Sequence, residues 1–243
     1  MSNNSKTVAI VTGGSRGLGE AFARQIVAEG GKVAIADVLD AEGTALASEL
    51  GSNAIYVHLD VTKLDDWAKA VEATEKAFGS ITGLVNNAGI LVVGGVLDTT
   101  EEGYDKIVAV NQKGVIFGMQ SVVPSMKKAG RGSIVNISSI AGIQGYAGMI
   151  PYVGSKWAVR GITKAAALEL VSDKILVNSI HPGSFRTDMT APFEAVENPY
   201  AGIPAGRFGT PAELAGLVAW LLSEDNGYAT GSEFVVDGGV TAG

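Results

Sequence analysis

Short apolar runs alternate along this chain with longer stretches in which apolar residues recur every three to four positions. Residues 7–11, 32–37, 54–59, 83–86, 133–138, 175–181 and 233–236 read as strands. Residues 17–29, 41–50, 64–78, 101–128 (in one piece or two), 152–171 and 211–222 read as helices. Strands without a polar face are covered on both sides, as happens when helices pack on each face of a parallel sheet. Right-handed crossovers then predict an α/β fold: a doubly wound, Rossmann-type parallel sheet of about seven strands. No linker, tandem repeat or low-complexity tract is visible, so one domain over 1–243 is the economical expectation. Residues 184–206 break the rhythm, with no clear period and three prolines. Their place after a strand end suits a substrate lid.

Composition narrows the class. The chain is 47% apolar and 18% charged, enough for a substantial core. A formal charge of -7 argues against nucleic acid as a partner. Zero cysteine and two histidines, His58 and His181, speak against disulfides and against a metal centre. The polar first six residues and the lack of a membrane-length apolar run make a cytoplasmic protein the default expectation.

The first strand runs into Thr12-Gly13-Gly14-Ser15-Arg16-Gly17-Leu18-Gly19 and then a helix. Glycines there allow a tight turn and a close backbone approach to a pyrophosphate, and the helix start offers unpaired N–H groups. Gly13, Arg16, Gly17, Leu18 and Gly19 are therefore candidate dinucleotide contacts. Asp37 closes the second strand, where a carboxylate can accept from both adenosine ribose hydroxyls. It would repel a 2′-phosphate by about 4 kcal/mol at 4 Å and an effective dielectric near 20, so NAD is expected rather than NADP. Arg16 argues the other way, since guanidinium suits phosphate. Asp37 could instead neutralise Arg16 or cap a helix. Asp60, after the third strand, is either a partner for the adenine amino group or an N-cap. In Asn86-Asn87-Ala88-Gly89 the small residues let a cofactor lie close, while Asn86 reads equally well as structural support.

Tyr152 and Lys156 are four residues apart in a helical pattern, so they share a helix face. A phenol near pKa 10 is a poor acid or base at neutral pH, and a fixed cation beside it favours the phenolate. Ser139 ends a strand, where ligands bind in such sheets, and its hydroxyl can polarise a carbonyl; Ser138 competes for that role. Neither histidine sits in a motif that would support a hydrolytic serine, and His181 reads as structural.

Together with Asn111 and Pro182-Gly183, these motifs in this order resemble the short-chain dehydrogenase/reductase family over nearly the whole chain. The resemblance implies a catalytic tetrad of Asn111, Ser139, Tyr152 and Lys156, with Asn111 at a helix break holding a water that links Lys156 to solvent. It implies that Val61, Asn87, Ala88 and Gly89 line the adenosine side. Gly183 and Thr187 would approach the nicotinamide, although Thr187 alone would read as the cap of a short helix. Tyr152 would move the proton, Ser139 would hold the substrate oxygen and Lys156 the ribose. No metal is required.

Tyr146, Phe185 and Met189 cluster around Ser139 and Tyr152 in sequence and either line an apolar substrate pocket or pack the lid. The stretches around Gly13–Gly19, Asp37 and Tyr152–Gly161 are similar to bacterial NAD-dependent hydroxysteroid and secondary-alcohol dehydrogenases. A steroid, cyclic or aryl alcohol, or its ketone, is the expected substrate. The alternatives are an NADPH-dependent 3-oxoacyl-thioester reductase and a noncatalytic NAD-binding sensor on the same fold. The resemblance also implies a homotetramer, with helices near 106–128 and 152–171 at one interface.

Overall fold

Strands β1 (Val8–Thr12), β2 (Lys32–Asp37), β3 (Ala54–His58), β4 (Gly83–Asn86), β5 (Gly132–Ile137), β6 (Ile175–Pro182) and β7 (Glu233–Val236) form one parallel sheet. Their order is β3-β2-β1-β4-β5-β6-β7. The structure is a computed structural model and describes residues 3–194 and 196–243. Met1, Ser2 and Ala195, the last inside the expected lid, lie outside the described residues.

The connections carry α1 (Gly17–Ala28), α2 (Asp40–Leu50), α3 (Leu64–Phe78), α4 (Glu101–Val108), α5 (Gly114–Ala129), α6 (Ile150–Leu170), α7 (Ala191–Glu194) and α8 (Pro211–Leu222). Successive strand residues point to opposite faces. Val11, Ile35, Val85 and Val135 therefore pack with Phe22 and Ile26 of α1, Leu46 of α2 and Val218 of α8. The alternate set, Ile10, Ala34, Leu84 and Ile134, packs with Trp67 of α3, Met119 and Val122 of α5 and Val159 of α6. Each large apolar side chain buried in this way contributes about 1.5–3 kcal/mol. Trp67 is buried without a polar penalty, because its indole N–H donates to the Val61 carbonyl at 3.1 Å.

The expected elements are all present, and the 101–128 stretch takes a form the pattern does not specify. Helices α4 and α5 are joined through a π-helical turn at Ala109–Lys113, which carries Asn111. The break expected near Asn111 is thus a widened turn rather than a gap. Helix α6 begins at Ile150 with Pro151 in its first turn, where a missing N–H costs nothing.

The long connection from β6 to α8 is tied at its base. Arg186 N–H donates to the Gly209 carbonyl at 2.9 Å, and Gly209 N–H to the Ser184 carbonyl at 3.0 Å. Its far end enters α8 through a capping box, in which Thr210 N–H donates to Glu213 Oε2 at 2.8 Å. No helix among the described residues is long and apolar enough to cross a membrane.

Candidate active site

A cavity of about 760 Å³ lies where the loops leave the carboxyl ends of the strands. Strand order reverses direction around β1 and β4, and the adjoining loops part there to leave a crevice. Its wall includes Gly13, Arg16, Gly17, Leu18, Asp37, Asp60, Val61, Asn87, Ala88 and Gly89. Ser139, Tyr152, Lys156, Gly183, Phe185, Thr187 and Met189 continue it. Three expected residues, Gly19, Asn111 and Tyr146, are not part of the wall.

The glycine-rich turn is shaped by close backbone approach. Gly13 has φ +59°, and a Cβ there would meet Ala88 Cα at 3.0 Å. A Cβ on Gly19 would lie 2.0 Å from the Gly13 carbonyl oxygen, so Gly19 tightens the turn from behind. Asn87 Nδ2 donates to the carbonyls of Thr12 and Gly13, both at 3.0 Å, while Thr12 Oγ1 accepts from the N–H groups of Asn87 and Ala88. These bonds fix the ends of β1 and β4 against each other. No side chain caps the first turn of α1, so its N–H groups remain available to an anion. The turn therefore fits a pyrophosphate.

Asp37 is buried, with Oδ2 accepting from Ser15 N–H at 3.0 Å and Oδ1 from Val38 N–H at 2.8 Å. It does not pair with Arg16. The guanidinium instead meets Asp188 of the β6–α8 connection, Nη1 to Oδ2 at 2.9 Å, across the cavity mouth. Asp60 is not an N-cap, a position held by Lys63. Its Oδ1 accepts from Thr62 N–H at 2.9 Å and from the Thr62 hydroxyl at 2.7 Å, which folds the loop after β3. Asn86 is structural, donating to Asn136 Oδ1 at 2.9 Å and to the Val115 carbonyl at 3.3 Å.

Ser138 and Ser139 both line the cavity, but the Ser138 hydroxyl is already committed. Ser138 donates to the Lys156 carbonyl at 2.9 Å within α6 packing. The Ser139 hydroxyl shares the cavity wall with the Tyr152 phenol, whose ionised form it favours, and accepts from Ala141 N–H at 3.1 Å. Lys156 is only 5% exposed, and its Nζ lies 5.6 Å from the Tyr152 ring centroid. That ammonium donates to the Ile137 carbonyl at 3.0 Å. Asn111 approaches from behind. Its Oδ1 accepts from Ile90 N–H at 2.9 Å, and its Nδ2 donates to the Ile90 carbonyl at 3.0 Å and to Ser155 Oγ at 3.1 Å. Ser155 in turn donates to the Tyr152 carbonyl at 2.8 Å. Both N–H groups of the Asn111 amide are thus used in joining the widened turn, the loop after β4 and the first turn of α6.

Burial dominates the titration of the pair. It raises the Tyr152 phenol above its ordinary value, and the Ser139 hydrogen bond only partly opposes that. It lowers the Lys156 ammonium to about 8. The expected lowering of the phenol by its cationic neighbour is therefore outweighed in the protein alone: Lys156 loses its charge before Tyr152 titrates. At neutral pH the pair is a neutral phenol beside an ammonium.

Tyr146 turns away from its expected role; its hydroxyl accepts from Gln144 Nε2 at 2.6 Å. Thr187 lines the cavity, and its hydroxyl sits 3.3 Å from Thr190 Oγ1 in the turn leading to α7. Sequence reasoning missed Ile90, Leu91 and Asp188 in the wall, and Ser155 behind it. Only Ser155 left a signal, three residues after Tyr152 and on the same helix face.

The family model described as enoyl-(acyl carrier protein) reductase matches residues 13–241. A 3-alpha-(or 20-beta)-hydroxysteroid dehydrogenase of Mycobacterium tuberculosis is 49% identical over 236 residues, covering 97% of this chain and 90% of that one. An NADP-dependent (R)-specific alcohol dehydrogenase of Lentilactobacillus kefiri is 41% identical over 243 residues, covering 97% of this chain and 96% of the other. The crystal structure of a short-chain type dehydrogenase/reductase from Mycobacterium marinum superposes with a TM-score of 0.94 at 33% identity, covering 99% of this chain and 98% of that one.

Proposed function

This chain belongs to the short-chain dehydrogenase/reductase family of nicotinamide-dependent oxidoreductases, and on that footing we propose that it interconverts a hydrophobic secondary alcohol and its ketone with NAD(H). One observation carries the reading: the Ser139 hydroxyl and the Tyr152 phenol meet in one cavity wall, with the Lys156 ammonium buried beside the Tyr152 ring. When bound, the nicotinamide supplies the acceptor or donor of hydride.

The residues do the rest. In reduction, neutral Tyr152 gives its proton to the ketone oxygen as charge develops there, and Ser139 donates a hydrogen bond to the same oxygen. In oxidation, Tyr152 must first be the phenolate in order to take the alcohol proton. The Lys156 ammonium beside the ring favours that phenolate for as long as it keeps its proton. Phe185, Met189, Ile90 and Leu91 give the wall an apolar stretch suited to a steroid or cyclic ring. Asp37 supports NAD: its charge opposes a 2′-phosphate, Arg16 is engaged by Asp188, and Val38-Leu39-Asp40 adds no basic residue. We take residues 184–206 as a lid. A homotetramer goes with this reading, and Ile116, Trp157 and Leu168, exposed apolar residues on α5 and α6, support it.

The test is Tyr152→Phe in an NADH-consumption screen across steroid, cyclic, aryl and acyl-thioester ketones. Turnover should fall by about 10²–10⁴-fold with NADH affinity retained. Full activity in that variant rejects the proton-transfer assignment, and turnover of acyl thioesters alone rejects the substrate class.

A further inference from the structure

His181 is fully buried on β6 and takes no part in the chemistry above. Its ring reaches across two strands. Nδ1 lies 3.1 Å from the Ser139 carbonyl oxygen, and Nε2 lies 3.0 Å from Ser179 Oγ. A carbonyl can only accept, so Nδ1 carries the hydrogen and Nε2 accepts from the Ser179 hydroxyl. Both nitrogens are then used by a neutral ring. Burial keeps the ring below the ordinary histidine pKa, helped by Arg160 and Lys156 and opposed by the Ser139 bond and Glu233.

The imidazole acts where the sheet's own ladder stops. Strands β5 and β6 stay in register to Ile137 and Ile180, and Ser138 N–H still donates to the Ile180 carbonyl at 2.8 Å. In a parallel ladder the next donor on β6 would be the N–H of residue 182, and proline has none. Past that point Ser139 is held by its own turn: its carbonyl accepts from Gly142 N–H at 2.9 Å and its hydroxyl from Ala141 N–H. Among the described residues, His181 supplies the one bond from β6 to Ser139.

We propose that His181 is a positioning residue, which holds the Ser139 main chain so that the Ser139 hydroxyl stays aligned with Tyr152 and the substrate oxygen. The inference rests on the functional reading of Ser139 and Tyr152 given above. A displacement of about 1 Å at a reacting group can cost roughly 10²-fold in rate, so a single cross-strand bond to a turn is worth holding.

Two variants of the full chain test it. His181→Leu keeps bulk but removes the donor; His181→Asn keeps an N–H that can reach the same carbonyl. The Leu variant should lose about tenfold or more in kcat with NADH affinity unchanged, and the Asn variant should recover most of it. In a Ser139→Ala background the Leu change should cost nothing further, because no hydroxyl remains to align. Unaltered kcat in the Leu variant overturns the proposal, as does an additional loss in the Ser139→Ala background. Should the Leu variant fail to fold, the imidazole nitrogen spectrum of His58→Gln, which leaves one histidine, decides instead. A ring that carries its hydrogen on Nδ1 supports the assignment, and a neutral Nε2–H ring, which has no donor for the Ser139 carbonyl, overturns it. Failure of the functional reading looks different: the unsubstituted protein would turn over no ketone, whatever the spectrum shows.

Discussion

Replacing Lys156 with methionine should strengthen the fold while silencing the enzyme. The side chain is 5% exposed, has one hydrogen bond, to the Ile137 carbonyl, and forms no ion pair with a carboxylate among the described residues. Burial lowers its pKa from 10.5 to about 8. A cation whose folded pKa lies below its unfolded value destabilises the fold, since the unfolded chain binds the proton more tightly. The penalty is full below pH 8 and fades as pH rises toward 10.5. At about 1.4 kcal/mol per pKa unit, it amounts to roughly 3 kcal/mol at neutral pH. Methionine restores an apolar chain of similar length but leaves the Ile137 carbonyl short of a partner, which costs about 1 kcal/mol. The net expectation is a gain of about 2 kcal/mol, or about 4–8 °C in Tm for a chain of this size. Urea unfolding followed by tryptophan fluorescence at neutral pH and again near pH 10.5 measures it, with ketone reduction assayed alongside. Activity should drop at least about 100-fold. A variant less stable than its parent at neutral pH refutes the reasoning, and so does a stability difference that stays flat as pH rises.

Two further outcomes follow from the same geometry. Asp37→Asn removes the charge and keeps an acceptor for only one of the Ser15 and Val38 N–H groups, so the kcat/KM preference for NAD over NADP should fall by at least about tenfold; an unchanged ratio would mean the carboxylate charge does not discriminate. Because burial raises the Tyr152 phenol, ketone reduction should hold across neutral pH, where the phenol keeps its proton, while alcohol oxidation, which needs the phenolate, should rise with pH. Superimposable pH profiles for the two directions contradict that assignment.

The sheet is legible in the sequence because a strand covered on both faces must be apolar nearly throughout, as β1 and β2 are. The glycine turn is legible because contacts of the Gly13–Ala88 and Gly19–Gly13 kind leave no room for a side chain. Other features depend on partners far away in the chain. Arg16 finds Asp188, 172 residues on, where local pattern offers Asp37. The widened turn at Asn111 is matched to Ile90 and Ser155, and no run of local propensities encodes i→i+5 bonding. Tyr146 is close to Tyr152 in sequence, yet its loop directs the hydroxyl to Gln144. The order of titration of Tyr152 and Lys156 was hidden for a different reason. Spacing shows that two groups are neighbours but not how thoroughly both are dehydrated.

The π-helical turn at Ala109–Lys113 also sets the rotational phase of everything after it. Each residue of an α-helix advances the chain by about 100°. Deleting one residue to restore ordinary winding would swing α5 round its axis by that angle and carry Met119, Val122 and Met126 off the sheet. A shift that frees Asn111 would therefore unpack one layer of the protein's interior, so the bulge persists for as long as the molecule stays folded.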